Sequence, residues 1–158
     1  TLFNWLADPI IDARCLDLFA GSGALGLESL SRGAKQVVMV EKSATACRAL
    51  REHIQTLSTV AAQIIQADVV DYLQQQNSGS AYDIVFMDPP YGQGLVARCI
   101  TLLATNNWLR TGALVYLEAE SSLKELPLGD RWLLKRSKTA GQVGYHLAVY
   151  CGPSQSAG

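Results

Sequence analysis

The sequence predicts an α/β protein in which a mostly parallel sheet is completed by an antiparallel pair of strands. Two observations lead to this prediction. Short apolar runs rich in β-branched residues alternate with segments of helical period, which is typical of β-α units that form a parallel sheet. After residue 130 this alternation stops. Two extended runs follow, and only Ala140-Gly141-Gln142 lies between them, which predicts a hairpin.

The predicted elements follow one another in a regular order. Strands are expected at 14–19, 36–41, 62–66, 83–88 and 113–118, and helices at 24–32, 43–57, 69–76 and 95–105. The helix at 43–57 has the clearest pattern, because its apolar residues recur every three or four positions and a serine can cap its first turn. These residues are Ala46, Leu50, Ile54 and Leu57, with Ser43 as the cap. Four of the five predicted strands abut an acidic residue.

Composition is typical of one globular domain. The 158 residues are 49% hydrophobic and 17% charged, so the chain can bury a core without a disulfide or a metal. No apolar run approaches the roughly 18 residues that a membrane helix needs, and no basic start precedes an apolar signal segment. We therefore expect a cytoplasmic protein without a membrane partner, with a domain at 1–152 and a disordered tail at 153–158.

Cysteine and histidine content predicts no metal site. Cys15, Cys47, Cys99 and Cys151 are isolated from one another and form no C-x-x-C pair, so we expect reduced packing residues. Only two histidines are present, and neither belongs to an H-x-x-x-H pattern or a cysteine-histidine cluster.

Charge is unevenly distributed along the chain. The net charge is -1, but residues 1–130 hold nine basic and fourteen acidic side chains, whereas residues 131–158 hold four basic side chains and no acidic one. The four basic residues are Arg131, Lys135, Arg136 and Lys138. Ordinary solvated charge on an edge strand is one interpretation, because it protects against aggregation. Clustering without acids also predicts contact with nucleic-acid phosphates.

The first predicted strand leads into a G-x-G-x-x-G turn. Its glycines are Gly21, Gly23 and Gly26, and Glu41 ends the next strand, 20 residues after Gly21. Glycine permits a tight turn and lets a ligand approach the N-terminus of the following helix. An acid at the second strand end can accept hydrogen bonds from both ribose hydroxyls. This pattern predicts a dinucleotide or S-adenosylmethionine.

Two aspartates bear on the choice between these ligands. Asp17 precedes the first glycine by four residues, where a carboxylate would be unfavourable beside a pyrophosphate but favourable near the ammonium and sulfonium of S-adenosylmethionine. Asp68, after the third strand, could accept a hydrogen bond from the adenine amine or simply cap the helix that begins at 69. A nicotinamide dehydrogenase would explain the glycines and Glu41 but would leave Asp17 without a role.

The segment Asp88-Pro89-Pro90-Tyr91 follows the fourth strand. Its two prolines fix the backbone and remove two donors, so the Asp88 carboxylate and the Pro89 carbonyl can present a rigid pair of acceptors. Two acceptors that hold the hydrogens of an exocyclic base amine free its lone pair for attack on a sulfonium methyl. Tyr91 could stack on that base. A proline-rich turn with a half-buried tyrosine is the alternative interpretation.

Together these segments resemble the bacterial 16S rRNA (guanine-N2)-methyltransferases that modify guanine 966 of the small-subunit RNA. The resemblance extends from residue 1 to residue 145 and is carried by the segments 17–28, 41–42 and 88–91, together with Asp68. It implies a Rossmann-like class I methyltransferase fold with seven strands, S-adenosylmethionine as the cofactor, and 16S rRNA or an assembling small ribosomal subunit as the partner. It also implies an arginine-rich arm before residue 1.

The resemblance further implies roles for individual residues. The implied cofactor residues are Asp17, Gly21 and Gly23 at the methionine end, Glu41 at the ribose, and Asp68 and the backbone of Val69 at the adenine. Phe19 and Lys42 are further expected cofactor contacts. The implied residues that hold the guanine are Asp88, Pro89 and Tyr91. Pro90 and the four basic residues after 130 are the expected RNA contacts, and no metal is expected.

Other functions fit parts of the pattern. A DNA methyltransferase acting on adenine N6 or cytosine N4 would use D-P-P-Y equally well, but the chain has no additional stretch that could serve as a DNA recognition domain. A catalytically silent RNA-binding module would keep the fold without methyl transfer. We expect a monomeric enzyme that methylates the guanine amine by direct displacement, after which Asp88 or water takes the proton.

Overall fold

The computed structural model describes residues 2–90, 92–120 and 128–153. The strands are β1 (Arg14–Leu18), β2 (Gln36–Glu41), β3 (Ala62–Gln66), β4 (Tyr82–Met87), β5 (Leu109–Glu120), β6 (Trp132–Ala140) and β7 (Val143–Tyr150). The helices are α1 (Leu2–Trp5), α2 (Ala24–Ser31), α3 (Ala44–Leu57), α4 (Val69–Gln74) and α5 (Leu95–Thr105). Within the described residues, helices and strands alternate from α1 to β5, and the strands β6 and β7 follow without a helix between them. The order from β1 onward is the predicted one, and α1 is an additional short helix.

The seven strands form one sheet in the order β3-β2-β1-β4-β5-β7-β6. The first five of these are parallel, and β7 is antiparallel to both β5 and β6. Gly141 and Gln142 alone join β6 to β7, and Gly141 has a φ of 60°. The predicted hairpin at the end of a mostly parallel sheet is confirmed. The strand order reverses between β1 and β4, which in such sheets is where a crevice forms beyond the carboxyl ends.

One strand is longer than the sequence pattern indicates. β5 begins at Leu109 rather than at 113, and its pairing with β4 is irregular: Leu109 pairs with Tyr82, whereas Leu114 pairs with Ile84. Gly112 lies within the additional residues at a φ of 89°, a conformation that side-chain-bearing residues rarely adopt. This irregular segment has no clean two-residue alternation, which is why the pattern does not reveal it.

The core is divided by the sheet into two layers. On one face, Leu16 and Val85 pack with Leu73 of α4 and Leu103 of α5. The other face includes Phe86 and is covered by residues of α1, α2 and α3. Burial on both faces explains why the central strands appear in the sequence as continuous apolar runs.

Helix α3 begins where the sequence predicts. The Ser43 hydroxyl oxygen accepts a hydrogen bond from the Ala46 N–H at 3.2 Å, which caps the first turn. Leu50 is buried, but Leu57 is 54% exposed, so the last turn does not continue the buried face. The strands end at Tyr150, and the predicted boundary at 152 stays a prediction because residues 154–158 lie outside the described part of the chain.

Candidate active site

A cleft of about 630 Å³ opens at the carboxyl ends of the parallel strands. Residues that follow β1, β2, β3 and β4 form its wall, as the strand-order reversal requires. The lining residues are Phe19, Glu41, Lys42, Asp68, Val69, Val70, Asp88, Pro89, Pro90, Gln93 and Leu95. The structure thus brings part of the predicted cofactor set and part of the predicted amine-binding set together in one cavity. The members that line it are Phe19, Glu41, Lys42, Asp68 and Val69 from the first set and Asp88 and Pro89 from the second. Asp17, Gly21 and Gly23 are not among the lining residues.

The turn between β1 and α2 and the first turn of α2 contain three glycines, and a side chain would meet different surroundings at each of them. Gly21 has a φ of 58°, and a Cβ placed there would meet no atom closer than the Phe19 carbonyl oxygen at 4.0 Å. A Cβ on Gly23, which has a φ of 79°, would overlap the Leu50 side chain. A Cβ on Gly26 would lie 2.8 Å from the Met39 sulfur. Gly23 and Gly26 therefore allow helix-to-sheet packing, whereas the space beside Gly21 remains open.

Asp17 occupies an internal position beneath this turn. It is only 2% exposed and accepts a hydrogen bond from the Gly26 N–H at 3.0 Å. Burial raises the pKa of Asp17 to about 7, and the nearby Asp88 and Glu41 carboxylates act in the same direction. Asp17 holds the start of α2 and is not among the residues that line the cleft. Its predicted contact with a cofactor stays a prediction.

Glu41 links the glycine turn to α3. One carboxylate oxygen accepts a hydrogen bond from the Gly21 N–H at 2.8 Å, and the other accepts one from the Ser43 N–H at 2.7 Å. A carboxylate offers about four acceptor positions, so both oxygens can still accept from hydroxyl groups in the cleft. Glu41 therefore keeps acceptor positions that a ribose could use, and its predicted ribose contact stays a prediction.

Asp68 caps helix α4 and also lines the cleft. Its Oδ1 accepts a hydrogen bond from the Asp71 N–H at 3.1 Å, and its Oδ2 lies 4.0 Å from Lys42 Nζ. The capping role that the sequence allows is therefore present, and it uses only one of the two carboxylate oxygens. Val69 follows as a nearly fully buried wall residue.

The segment after β4 presents a carboxylate at the cleft. Asp88 and Pro90 are exposed, whereas Pro89 is buried. Although the residue as a whole is exposed, surrounding protein atoms partly desolvate the Asp88 carboxyl and raise its pKa to about 6. The Glu118 carboxylate, within hydrogen-bonding reach, adds to this increase. Tyr91 lies outside the described residues, so its predicted stacking on a base stays a prediction.

Comparison with known proteins identifies the family of this chain. Residues 1–149 match the family model described as Conserved hypothetical protein 95. The chain belongs to this family. Two relatives named ribosomal RNA small subunit methyltransferase D, from Haemophilus influenzae and Escherichia coli K12, are each 44% identical over 149 residues. These alignments cover 93% of this chain and 77% and 73% of the relatives.

A solved structure supports the same grouping. An Escherichia coli protein provisionally described as a methyltransferase superposes with a TM-score of 0.92 at 41% identity, covering 96% of this chain and 84% of that chain. Together with the seven-stranded sheet, this likeness confirms the Rossmann-like class I methyltransferase fold.

Sequence reasoning missed two acidic residues of this Conserved hypothetical protein 95 member. Glu118 lies beside Asp88, and the Glu120 carboxylate accepts a hydrogen bond from the Gly92 N–H at 2.8 Å. Glu120 therefore holds the loop directly after the D-P-P-Y segment. The available signal was the run Leu117-Glu118-Ala119-Glu120 at the end of the fifth strand, because alternate strand residues share one face.

The four basic residues of the terminal hairpin region do not form one cluster at the cleft. Lys138 pairs with Tyr145 near the β6–β7 turn, at the edge of the sheet where the cleft opens. Arg131 precedes Trp132 at the opposite end of β6. Lys135 lies at an irregularity between Leu134 and Arg136. Contact of these residues and of Pro90 with RNA stays a prediction.

The described residues contain no group of three or more histidine, cysteine, aspartate or glutamate side chains that could hold a metal ion. Cys15, Cys47 and Cys99 are buried free thiols, and Cys151 is an exposed one. Across residues 2–90, 92–120 and 128–153, no helix has both the length and the apolar character needed to cross a membrane.

Proposed function

We propose that this chain transfers a methyl group from S-adenosylmethionine to the exocyclic N2 of a guanine in 16S rRNA, at position 966 as the family resemblance implies. The observation that carries this proposal is the shared cleft, which Phe19, Glu41 and Asp68 line together with Asp88 and Pro89. Methyl transfer requires the cofactor and the acceptor amine to lie side by side, and residues for both are at the same edge of the sheet.

The hydrogen bonds of the glycine turn favour a cationic cofactor over a dinucleotide. In dinucleotide-binding proteins, the backbone N–H groups of this turn bind the pyrophosphate. Here the Gly21 N–H donates to Glu41 and the Gly26 N–H donates to Asp17. The Glu41 carboxylate at the cleft would repel a pyrophosphate, and Glu41 together with the ionised form of Asp17 would attract the ammonium and sulfonium of S-adenosylmethionine. That cofactor supplies an electrophilic methyl group.

Within this cleft, Asp88 and Pro89 would orient the guanine amine. The Asp88 carboxylate and the Pro89 carbonyl accept hydrogen bonds from its two N–H groups, and Pro89 has no N–H that could compete. Held in this way, the nitrogen directs its lone pair at the methyl carbon. The pKa of Asp88, about 6, leaves most of this carboxyl ionised at neutral pH, and the ionised form has acceptors and no donor.

An RNA partner is supported by the relatives and by charge. Both 44% identical relatives carry names that refer to ribosomal RNA of the small subunit. Lys138 and Arg136 are exposed on the edge strand, and Lys138 lies at the same sheet edge as the cleft. We accordingly propose 16S rRNA or an assembling small subunit as the partner, with the protein acting as a cytoplasmic monomer.

The deciding experiment incubates the protein and labelled S-adenosylmethionine with small ribosomal subunits from a strain lacking the corresponding gene, and separately with duplex DNA. We expect label in N2-methylguanine at one nucleotide of 16S rRNA, as mapped by mass spectrometry of nuclease fragments. Label in DNA adenine or cytosine would instead support the DNA methyltransferase alternative. RNA binding without label in any nucleic acid would support the silent binding module.

A further inference from the structure

Glu118 lies next to Asp88 at the carboxyl ends of two neighbouring strands. Met87 of β4 pairs with Leu117 of β5, so the residues that follow them are at the same level of the sheet. Alternation along each strand directs the Asp88 and Glu118 side chains to the face that also carries Phe86. The two carboxyl groups are within hydrogen-bonding reach of each other.

Tyr116 fixes the position of the Glu118 carboxylate. Its hydroxyl donates a hydrogen bond to Glu118 Oε1 at 2.8 Å. Tyr116 is only 2% exposed, so its ring is held by the core and cannot follow a mobile side chain. The Tyr116 hydroxyl therefore holds the Glu118 carboxylate in a fixed position beside Asp88.

Other ionisable groups face this pair from the neighbouring strands. Tyr145 of β7 is directly opposite Glu118, and Lys138 of β6 is opposite Tyr145. Asp17 of β1 is close enough to Asp88 for the Asp88 carboxylate to raise the pKa of Asp17, and Glu41 of β2 acts on Asp17 in the same direction. Among these groups, Glu118 accepts the Tyr116 hydrogen bond and also lies within hydrogen-bonding reach of Asp88.

We propose that Glu118, held by Tyr116, is a positioning residue for Asp88, and that the Asp88–Glu118 pair accepts the proton released by the methylated amine. This inference rests on the proposed methyl transfer. The guanine nitrogen forms a bond to the methyl carbon while the carbon–sulfur bond breaks, and the electron pair of that bond stays on sulfur. The nitrogen then carries one additional proton, which moves to an oxygen of the pair and bridges the two carboxylates.

The physical reason is that two adjacent carboxylates bind one proton more tightly than a single carboxylate does. The first proton removes the repulsion between the negative charges and forms a hydrogen bond between them. Asp88 paired with Glu118 is therefore a stronger base than Asp88 alone. The Tyr116 hydroxyl opposes this effect in part, because it stabilises the ionised form of Glu118.

The test compares wild-type protein with Glu118→Gln and Tyr116→Phe, and uses Glu52→Gln on the exposed surface of α3 as a control that removes the same charge. The Asp88 carboxyl is titrated by ¹³C NMR without cofactor or RNA, and the pH dependence of methylation is measured in parallel. Glu118→Gln should shift the Asp88 titration and the acidic limb of the rate profile to lower pH, by up to about one pH unit.

Tyr116→Phe should move both curves in the opposite direction, because Glu118 loses its donor and the pair then holds a proton more tightly. Glu52→Gln should leave both curves unchanged. If the Asp88 titration is the same in wild type and in both variants, the inference that Asp88 and Glu118 share a proton is wrong. Reduced turnover without displacement of either curve would identify a merely structural role and would equally contradict the inference.

These outcomes are separate from the fate of the proposed function. If wild-type protein methylates no RNA, the proposed function fails, and the NMR titration of the free protein still reports on the pair. If guanine methylation occurs but the titrations coincide, only this inference fails.

Discussion

The buried carboxyl of Asp17 leads to a prediction that separates stability from function. Asp17 is 2% exposed, and burial raises its pKa from 3.8 to about 7. A carboxyl with such a pKa costs about 4 kcal/mol of folding free energy once it is ionised, and relaxation around the charge lowers this figure. The neutral variant Asp17→Asn avoids the cost, and its carbonyl oxygen can still accept the Gly26 N–H.

The sign of the pH dependence follows from the direction of this pKa change. Between pH 4 and pH 7 the folded state holds a proton on Asp17 that the unfolded state has lost, so this group makes wild-type stability fall as pH rises through that range. We expect Asp17→Asn to raise the free energy of unfolding by about 2 kcal/mol at pH 8. The difference should nearly vanish below about pH 3, where Asp17 is neutral in both the folded and the unfolded state.

Urea unfolding at several pH values measures this effect, and calorimetry with S-adenosylmethionine measures the functional consequence. At pH 8, where most of Asp17 is ionised, loss of the charge should weaken cofactor binding by about tenfold, as one lost charge-charge interaction of about 1.4 kcal/mol would. Glu52→Gln, at an exposed position of α3, serves as the control for charge removal. The reasoning would be refuted if Asp17→Asn were less stable than wild type at pH 8. It would also be refuted if the difference in the free energy of unfolding were the same at every pH.

Three further predictions concern the cleft and the hairpin. Asp88→Ala should lower the methylation rate about a hundredfold or more while calorimetry still detects cofactor binding, and near-normal turnover would exclude the acceptor role. Gly26→Ala should destabilise the protein by about 1–3 kcal/mol in urea unfolding, because its Cβ would lie 2.8 Å from the Met39 sulfur; unchanged stability would mean that this contact relaxes freely. Lys138→Ala should weaken RNA binding and reduce its salt dependence more than Arg131→Ala does, because Lys138 lies at the cleft edge of the sheet. Equal losses in filter-binding titrations would contradict that placement.

Much of the fold and of the site was predictable from local patterns. Alternating β-α units allow a parallel sheet, and a parallel sheet brings all strand ends to one edge. Residues directly after strands therefore had to converge, which is why Glu41, Asp68 and Asp88 line one cleft. The terminal hairpin was predictable for the same local reason, since no helix fits between its strands.

Tertiary structure decided which of these side chains touch and which are exposed to the cleft. The pairing of β4 with β5 brings Glu118 beside Asp88 across 30 residues of chain, and no local period encodes that register. Packing against Gly26 turned Asp17 into the interior, where desolvation sets its pKa. The length of β6 separates Arg131 from Lys138, although the sequence shows them as one basic group. The periodicity of the sequence determined which side chains share a face of a helix or strand. Non-local packing determined which side chains from different elements are in contact, and the chemistry of the site depends on both.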